Sequence, residues 1–181
     1  MCRVRRDSTP SGELSAAVRY DEKWPFGLDI PLFHDWTGHY VEPWLKTEYD
    51  LDCLRHILLP ISKNDDVARL KFGFDAQKKL AKRFDLPIIA HVGMGLTGAM
   101  QLAGATELCM MTAENPDMVD GYLELEHRMN LRHMEISLGF GADIIQRNGF
   151  YETSDFYSPA SLERFLAARL AKEAEVVHQA G

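Results

Sequence analysis

The strongest constraint on the fold lies between residues 86 and 159, where two short apolar runs are separated by helical segments. The run at 88–92 is apolar almost throughout, which is typical of a strand covered on both faces, and the run at 142–146 is the next predicted strand. Each run ends in a loop that contains glycine or asparagine. Because strands that alternate with helices pair in parallel through right-handed crossovers, the sequence predicts an α/β fold.

Helix boundaries are indicated by capping residues and by apolar residues that repeat at three- and four-residue steps. Asn115 caps a helix in which Pro116 takes the first position, and Gly139 ends it. Ser62 and Ser158 are the predicted N-caps of two other helices. The predicted helices cover residues 62–84, 97–111, 116–139 and 160–178.

We predict one partial domain over residues 1–181. Residues 1–15 are polar and are expected to be disordered, residues 16–60 are aromatic-rich and irregular, and residues 61–181 carry the β/α units. A closed (β/α)8 barrel takes ~250 residues, whereas this chain shows two clear core strands. The prediction is therefore a partial TIM-like (β/α)8 barrel, a central fragment with parallel strands and outer helices.

The bulk composition argues against several classes of protein. A net charge of −7 disfavours a nucleic-acid binder, because such proteins need a positive surface field. Three scattered cysteines indicate a reducing compartment and no disulfide framework. No apolar run approaches the ~20 residues of a membrane span, and no signal peptide is recognisable. We therefore expect a cytoplasmic protein with no nucleic-acid and no membrane partner.

The segment after the first strand, Gly93-Met94-Gly95-Leu96-Thr97-Gly98, matches the G-x-G-x-x-G pattern of dinucleotide-binding loops. That interpretation needs a second strand ending in Asp or Glu ~20 residues later, where this chain begins another helix. A tight turn for close helix packing and a loop that contacts substrate both stay open. A nucleotide-binding α/β domain that uses Gly93, Gly95 and Gly98 is the alternative function.

Polar side chains at the ends of both strands are the candidates for a binding site, because ligands of α/β folds bind there. His91 ends the first strand, Gln146 and Asn148 share one face of the second, and Tyr151 lies in the following loop. The competing interpretations are a core histidine bonded to backbone and a solvated loop.

Two histidine patterns resemble pieces of metal sites. His34 and His39 lie close to an aspartate, but no cysteine or further histidine has the local spacing to complete a site. Glu124 and His127 have the spacing of half a di-iron helix motif, whose second copy is missing. We therefore predict no metal-binding residue and no cofactor within this chain.

Several short motifs occur in a fixed order along about three quarters of the chain. They are Glu48-Tyr49-Asp50-Leu51, Leu59-Pro60, Leu86-Pro87-Ile88-Ile89, Gly93-Met94-Gly95-Leu96-Thr97, Glu114-Asn115-Pro116-Asp117-Met118-Val119, Gly141-Ala142-Asp143-Ile144-Ile145, Ser158-Pro159 and Leu162-Glu163-Arg164-Phe165. With these motifs, the stretch from Trp44 to Gly181 resembles the uroporphyrinogen decarboxylase (URO-D) superfamily. That superfamily includes the decarboxylases of haem (porphyrin) biosynthesis and the cobalamin- or corrinoid-linked methyltransferases.

The resemblance implies an enzyme that acts on a carboxylated tetrapyrrole or a related small molecule, at the C-terminal ends of the strands. Its reaction would be decarboxylation by a lyase without a cofactor, or methyl transfer to or from a corrinoid or thiol. The implied substrate-binding candidates are His91, Gly93, Met94, Gln101, Gln146, Asn148 and Tyr151. Gln101 stands where the decarboxylases have a tyrosine, and Asn148 where an acidic residue is frequent.

The same resemblance implies partners and a level of activity. The family's arginine-bearing loop would precede Met1, and the His/Cys zinc site of the methyltransferases would follow Gly181. Zinc and corrinoid are thus expected only of a full-length methyltransferase-type parent, and this chain alone is expected to be weakly active or inactive. The expected partners are a tetrapyrrole or corrinoid-linked small molecule and a corrinoid protein. Homo-oligomer formation and a non-catalytic truncated barrel are left open.

Overall fold

The computed structural model describes residues 1–181 and contains two separate sheets. The first sheet is antiparallel, with β1 (Cys2–Thr9), β2 (Gly12–Arg19) and β3 (Tyr40–Glu42) in that order. The second sheet pairs β4 (Ile89–Val92) with β5 (Ile144–Arg147). The helices are α1 (Glu48–Leu54), α2 (Asn64–Phe84), α3 (Leu96–Ala103), α4 (Ala105–Glu114), α5 (Pro116–Gly139), α6 (Pro159–Leu162) and α7 (Ala168–Gln179). A 3-10 turn covers Thr37–His39, and a π-helical turn (Glu163–Ala167) joins α6 to α7.

The predicted parallel pairing is confirmed, but the predicted partial TIM-like barrel is wrong. β4 and β5 pair in parallel, with Ile89 opposite Ile144 and Val92 opposite Arg147. No other strand joins them, because the remaining strands pair with one another in the antiparallel sheet. Two strands cannot curve into a barrel wall, which needs a continuous ring of neighbouring strands. The chain is a mixed α/β protein with two small sheets.

The N-terminal residues form a hairpin, although the sequence predicted disorder over residues 1–15. β1 and β2 pair along their full length and are joined by a tight turn at Gly12, whose φ of +132° favours glycine. The backbone N–H of Glu13 donates to the hydroxyl of Tyr49 at 2.9 Å, which fixes the turn against α1. β2 then buries the side chains of Leu14, Ala16 and Val18. The hairpin was missed because β1 alternates arginines with other residues and lacks an apolar strand pattern.

The predicted helices occur close to their expected positions. Helix α5 covers the predicted residues 116–139, and the side chain of Asn115 accepts a hydrogen bond from the N–H of Met118 at 3.3 Å. The predicted helix 97–111 is instead divided into α3 and α4 at Gly104, whose φ is +93°. A left-handed residue cannot continue a right-handed helix, so the chain changes direction there.

The main hydrophobic core joins the antiparallel sheet to the helices. Its largest fully buried side chains include Trp44, Tyr122 and Phe165, which come from three distant parts of the chain. A second, smaller core contains Phe74, Ile88 and Ala90 and lies between α2 and the parallel sheet. The parallel sheet and α2 therefore lie outside the main core. None of the helices combines the length and apolar character that crossing a bilayer requires.

The start of α1 provides a test of local helix capping. The side chain of Thr47 accepts a hydrogen bond from the N–H of Asp50, and the Asp50 carboxylate accepts one from the N–H of Thr47 at 2.9 Å. Thr47→Ala is expected to lower the free energy of unfolding by ~1 kcal/mol, because it removes one half of this capping box. Urea denaturation measures the change. Thr106→Ala, at an exposed position in α4, is the control and should stay within ~0.5 kcal/mol of wild type; equal losses would contradict the role of the cap.

Candidate functional site

The C-terminal ends of β4 and β5 meet at one edge of the parallel sheet. His91 lies directly opposite Gln146 in the strand register. Just beyond the strands, the backbone N–H of Asn148 donates to the carbonyl of Gly93 at 3.1 Å. The parallel pairing therefore brings together the two loops that the sequence predicted to contact a ligand.

One face of the parallel sheet is open to solvent. Ile89, His91, Ile144 and Gln146 all have exposed side chains on this face, while their neighbours along each strand are more buried. The amide of Gln146 donates to the side-chain oxygen of Asn148 at 3.5 Å. We call this set, with Asn148, the open face. It combines three polar side chains with two isoleucines.

A groove runs beside the open face, between the end of α2 and β4. Its volume is about 340 Å³, within the range of small-molecule sites. It is lined by Gln77, Leu80, Ala81, Leu86, Pro87, Ile88, Ile89 and His91. His91 thus belongs both to the groove and to the open face. Apolar walls with a few convergent polar groups are typical of ligand sites.

A buried cluster of charged side chains lies behind the Gly93–Gly95 loop. The carboxylate of Glu126 accepts hydrogen bonds from the N–H groups of Met94 and Gly95, the latter at 2.7 Å. The carboxylate of Glu152 accepts one from the N–H of Leu96 at 2.8 Å. Both carboxylates therefore lie at the positive N-terminal end of α3, where negative charge is stabilised.

Arg147 and Glu173 complete this buried charge cluster, which we define as Glu126, Arg147, Glu152 and Glu173. The guanidinium of Arg147 donates to Glu152, with Nη2 3.2 Å from Oε1, and its Nε lies 3.4 Å from Oε2 of Glu173. The other oxygen of Glu173 lies 2.9 Å from Nδ1 of His127. The guanidinium therefore pairs with two carboxylates, its charge also acts on the carboxylate of Glu126, and the imidazole of His127 is a further ionisable partner.

Burial shifts the pKa values of this cluster. Burial raises the pKa of Glu126, although its hydrogen bonds from Met94 and Gly95 and the charge of Arg147 oppose the change. Burial alone would lower the pKa of Arg147, but its hydrogen bond to Glu152 and the nearby carboxylates outweigh that effect and raise it. Such shifts are found at functional sites and also in structural ion networks. The side chains are shielded from solvent here, so we assign the cluster a structural role.

The glycines of the Gly93–Gly95 loop make room for this cluster. Gly93 and Gly95 have φ values of +56° and +53°. A Cβ atom on Gly95 would collide with the side chains of Arg147 and Glu152, and one on Gly93 would collide with Asn130. The backbone N–H groups that hold a pyrophosphate in dinucleotide sites are occupied here by carboxylates. This geometry disfavours the nucleotide-binding alternative for Gly93, Gly95 and Gly98.

The other predicted site residues point in different directions. The side-chain amide of Gln101 is buried and donates to Asp35 at 2.6 Å, while the backbone carbonyl of Gln101 accepts from the hydroxyl of Tyr40 at 2.8 Å. Tyr151 packs edge-to-face against Phe156. Met94 is half-buried beside the cluster. The structure therefore brings His91, Gln146 and Asn148 together, and places Gln101 and Tyr151 in packing roles elsewhere.

His34 lies in a box of aromatic rings formed by the aromatic-rich segment. Its ring centroid is 5.3 Å from that of Trp24, 5.5 Å from that of Phe26 and 5.0 Å from that of Tyr40. Its Nδ1 accepts a hydrogen bond from the N–H of Trp36 at 3.1 Å. Burial lowers the pKa of His34 to about 4. No group of three or more His, Cys, Asp or Glu side chains is placed to hold a metal ion.

Sequence reasoning missed the buried charge cluster, although one signal pointed to it. Glu126 follows Tyr122 by four residues and therefore falls on the same side of α5 as the buried apolar stripe. A carboxylate at such a position requires a buried partner. The partners come from the last residue of β5, from the loop that follows β5 and from α7, and no local pattern identifies them.

Comparison with known proteins finds no relative of this chain. No protein-family description, no curated protein and no solved structure matches the chain.

Proposed function

We propose that the open face binds a carboxylated tetrapyrrole or a related small carboxylated molecule. The observation that carries this proposal is the register that sets His91 opposite Gln146, on an exposed face and beside an apolar groove. We further propose that the chain is a diverged relative of the uroporphyrinogen decarboxylase superfamily. Its parent activity would be decarboxylation, or methyl transfer involving a corrinoid or a thiol.

The chemistry of the open face suits a flat molecule with carboxylates at its rim. The imidazole of His91 and the amides of Gln146 and Asn148 donate hydrogen bonds to a carboxylate. Ile89 and Ile144, exposed by 42% and 44%, offer apolar surface for the ring. His91 is the ionisable side chain on this face, so it is the candidate for moving a proton to or from the ligand.

Two further features support the proposal. The motifs that carry the resemblance lie on neighbouring strands, because Leu86-Pro87-Ile88-Ile89 leads into β4 and Gly141-Ala142-Asp143 leads into β5. The four cations Lys78, Lys79, Lys82 and Arg83 at the end of α2 form no ion pair, so a negatively charged ligand meets a positive field at the groove. The three cysteines are unpaired, which suits a reducing compartment such as the cytoplasm.

Titration with uroporphyrin, the stable oxidised form of the proposed substrate class, tests binding by fluorescence. We expect saturable micromolar binding by the wild-type chain. His91→Ala is expected to weaken binding about five- to tenfold, because it removes one hydrogen bond to a carboxylate at a solvent-exposed site. His178→Ala is the control, since His178 is exposed on α7 and does not belong to the open face.

Parallel titrations separate the alternatives. A corrinoid that binds more tightly than uroporphyrin would favour methyl transfer over decarboxylation. Saturable binding of NAD or ATP, with uroporphyrin inert, would favour the nucleotide alternative. If uroporphyrin binding were unchanged in His91→Ala, the open face would be excluded as the binding site.

A further inference from the structure

Helix α2 has few packed side chains for its length. It covers 21 residues, of which Phe74 is the one buried side chain. Three large apolar residues on it are exposed, with Phe72 at 80%, Leu80 at 58% and Phe84 at 56%. At ~200 Å² for a large apolar side chain, they leave about 400 Å² of apolar surface in water. That amount approaches the apolar share of one side of a standard protein interface, ~800 Å² of which just over half is apolar.

These residues form a ridge along the helix. Phe72, Ala76, Leu80 and Phe84 follow one another at steps of four, and residues four apart lie on one side of an α-helix. Ridges of this spacing are the surfaces through which helices pack against each other. The ridge faces away from Phe74, so the chain's own core does not use it.

Gly73, next to the start of the ridge, has no explanation within the chain. It lies in the helix interior, where glycine is less favourable than alanine. A Cβ atom built on it would have nothing within 4 Å, and its φ is not left-handed. A glycine at such a position permits another backbone to come close to the helix.

The charges on α2 identify the occupant. Lys78, Lys79, Lys82 and Arg83 make no ion pair, and they crowd the last turns of the helix. Asp65 and Asp66 lie in its first turn, where only a long, exposed contact of 3.9 Å links Asp66 to Arg69. An antiparallel copy of α2 would set the acidic turn of each helix against the basic turns of the other. A parallel copy would set like charges together.

We propose that two copies of this chain associate through their α2 helices, antiparallel and crossing at Gly73 and Ala76. Each ridge then buries Phe72 and Leu80 against the partner, and each set of unpaired cations gains carboxylate partners. The proposal does not rest on the tetrapyrrole site, although Leu80 lines both surfaces and the cations in the last turns of α2 enter both proposals.

Sedimentation equilibrium over a wide concentration range tests the proposal with wild type and two glycine variants. We expect wild type to dimerise with a micromolar dissociation constant. Gly73→Gln is expected to weaken dimerisation at least tenfold without loss of thermal stability, because the monomer has open space at this position. Gly139→Gln, at the end of α5 and equally open, is the matched control and should leave dimerisation unchanged.

Charge exchange tests the orientation. Lys82→Glu with Arg83→Glu should weaken the dimer about tenfold, and adding Asp65→Lys with Asp66→Lys to the same chain should restore it. A failure to restore it would overturn the antiparallel arrangement. The proposal would be overturned if wild type stayed monomeric at every concentration. It would also be overturned if Gly73→Gln dimerised as well as wild type. A monomer that binds vesicles of anionic phospholipid through the same cations would assign this surface to membranes instead.

Discussion

Replacing Arg147 by methionine is expected to lower the free energy of unfolding by about 3–5 kcal/mol. The side chain is largely buried, with 16% of its area exposed, and it faces the carboxylates of Glu152 and Glu173, which are exposed by 8% and 5%. Methionine fills a similar volume, so the loss measures charge rather than packing. Urea denaturation at neutral pH gives the change.

The physical reason is that removing the guanidinium leaves negative charge in a poorly solvated place. Glu152 keeps its hydrogen bond from the N–H of Leu96, and Glu173 keeps its contact with His127. Neither partner supplies the full positive charge that Arg147 provides. Removing one member of a buried ion pair destabilises a protein far more than the intact pair stabilises it.

An exposed arginine provides the matched control. Arg164 contacts Asp117 at 3.1 Å and Asp120 at 3.0 Å, but nearly half of its side chain is exposed. Arg164→Met should therefore cost no more than ~1 kcal/mol. The loss caused by Arg147→Met should also shrink in mild acid, because burial raises the pKa of Glu126 and its protonation removes one of the negative charges left behind. Equal losses for the two variants, or a loss independent of pH, would contradict the assigned role of the cluster.

The parallel pair and the long helices were predictable because local patterns determine them. The run from Ile88 to Val92 is apolar without alternation, and that pattern indicates a strand covered by packing on both sides. In the structure one face of this strand is open to solvent. The prediction of a strand was therefore correct, but the prediction that both of its faces are covered was wrong. Helix α5 was predicted to its ends because Asn115 and Pro116 start it and Gly139 lies at its end.

The absence of a barrel and the presence of the hairpin could not be predicted from local patterns. The first depends on which strands pair across the chain, and the second uses a strand, β1, that has no apolar pattern. A barrel requires further strands beside β4 and β5, and the sequence motifs carried by those two strands do not supply them. The arginines of β1 (Arg3, Arg5 and Arg6) interrupt the apolar alternation that indicates a strand. In the folded chain Arg5 forms ion pairs with Asp7 and Asp29. Such contacts appear only after the hairpin has formed.

Half of the candidate site was predictable, because local patterns also place its residues at the strand ends. His91 and Gln146 end the two strands, so parallel pairing alone places them together. Gln101 depended on the resemblance, and the structure buries it against Asp35. The buried charge cluster unites residues from α5, from β5 and the loop after it, and from α7, and no local rule joins such distant segments.

Acid is expected to destabilise the chain through His34, by about 2–3 kcal/mol between pH 6.5 and pH 4. His34 is 4% exposed, and burial lowers the pKa of its imidazole from an ordinary 6.5 to about 4. The unfolded chain therefore binds a proton in this pH window that the folded chain does not bind. Stability is complete above pH 6.5 and is lost as the pH falls toward 4.

The surroundings of His34 explain why its neutral form is required. Its Nδ1 accepts a hydrogen bond from Trp36, and its Nε2 has no partner among the rings of Trp24, Phe26 and Tyr40. The charge of Asp35 favours protonation, but desolvation outweighs it. Burial also lowers the pKa of the half-buried His133, so this residue adds a smaller loss of stability in acid.

His34→Asn isolates the contribution of this residue. The asparagine oxygen can accept the hydrogen bond from Trp36, two residues ahead, as in turns formed by Asn and Asp, but it does not titrate. We expect lower stability at neutral pH and a much weaker dependence on pH between 6.5 and 4. His178→Asn, at an exposed position on α7, should keep the wild-type slope. An unchanged slope in His34→Asn would mean that the acid sensitivity arises elsewhere, because a side chain without a titrating group cannot carry it.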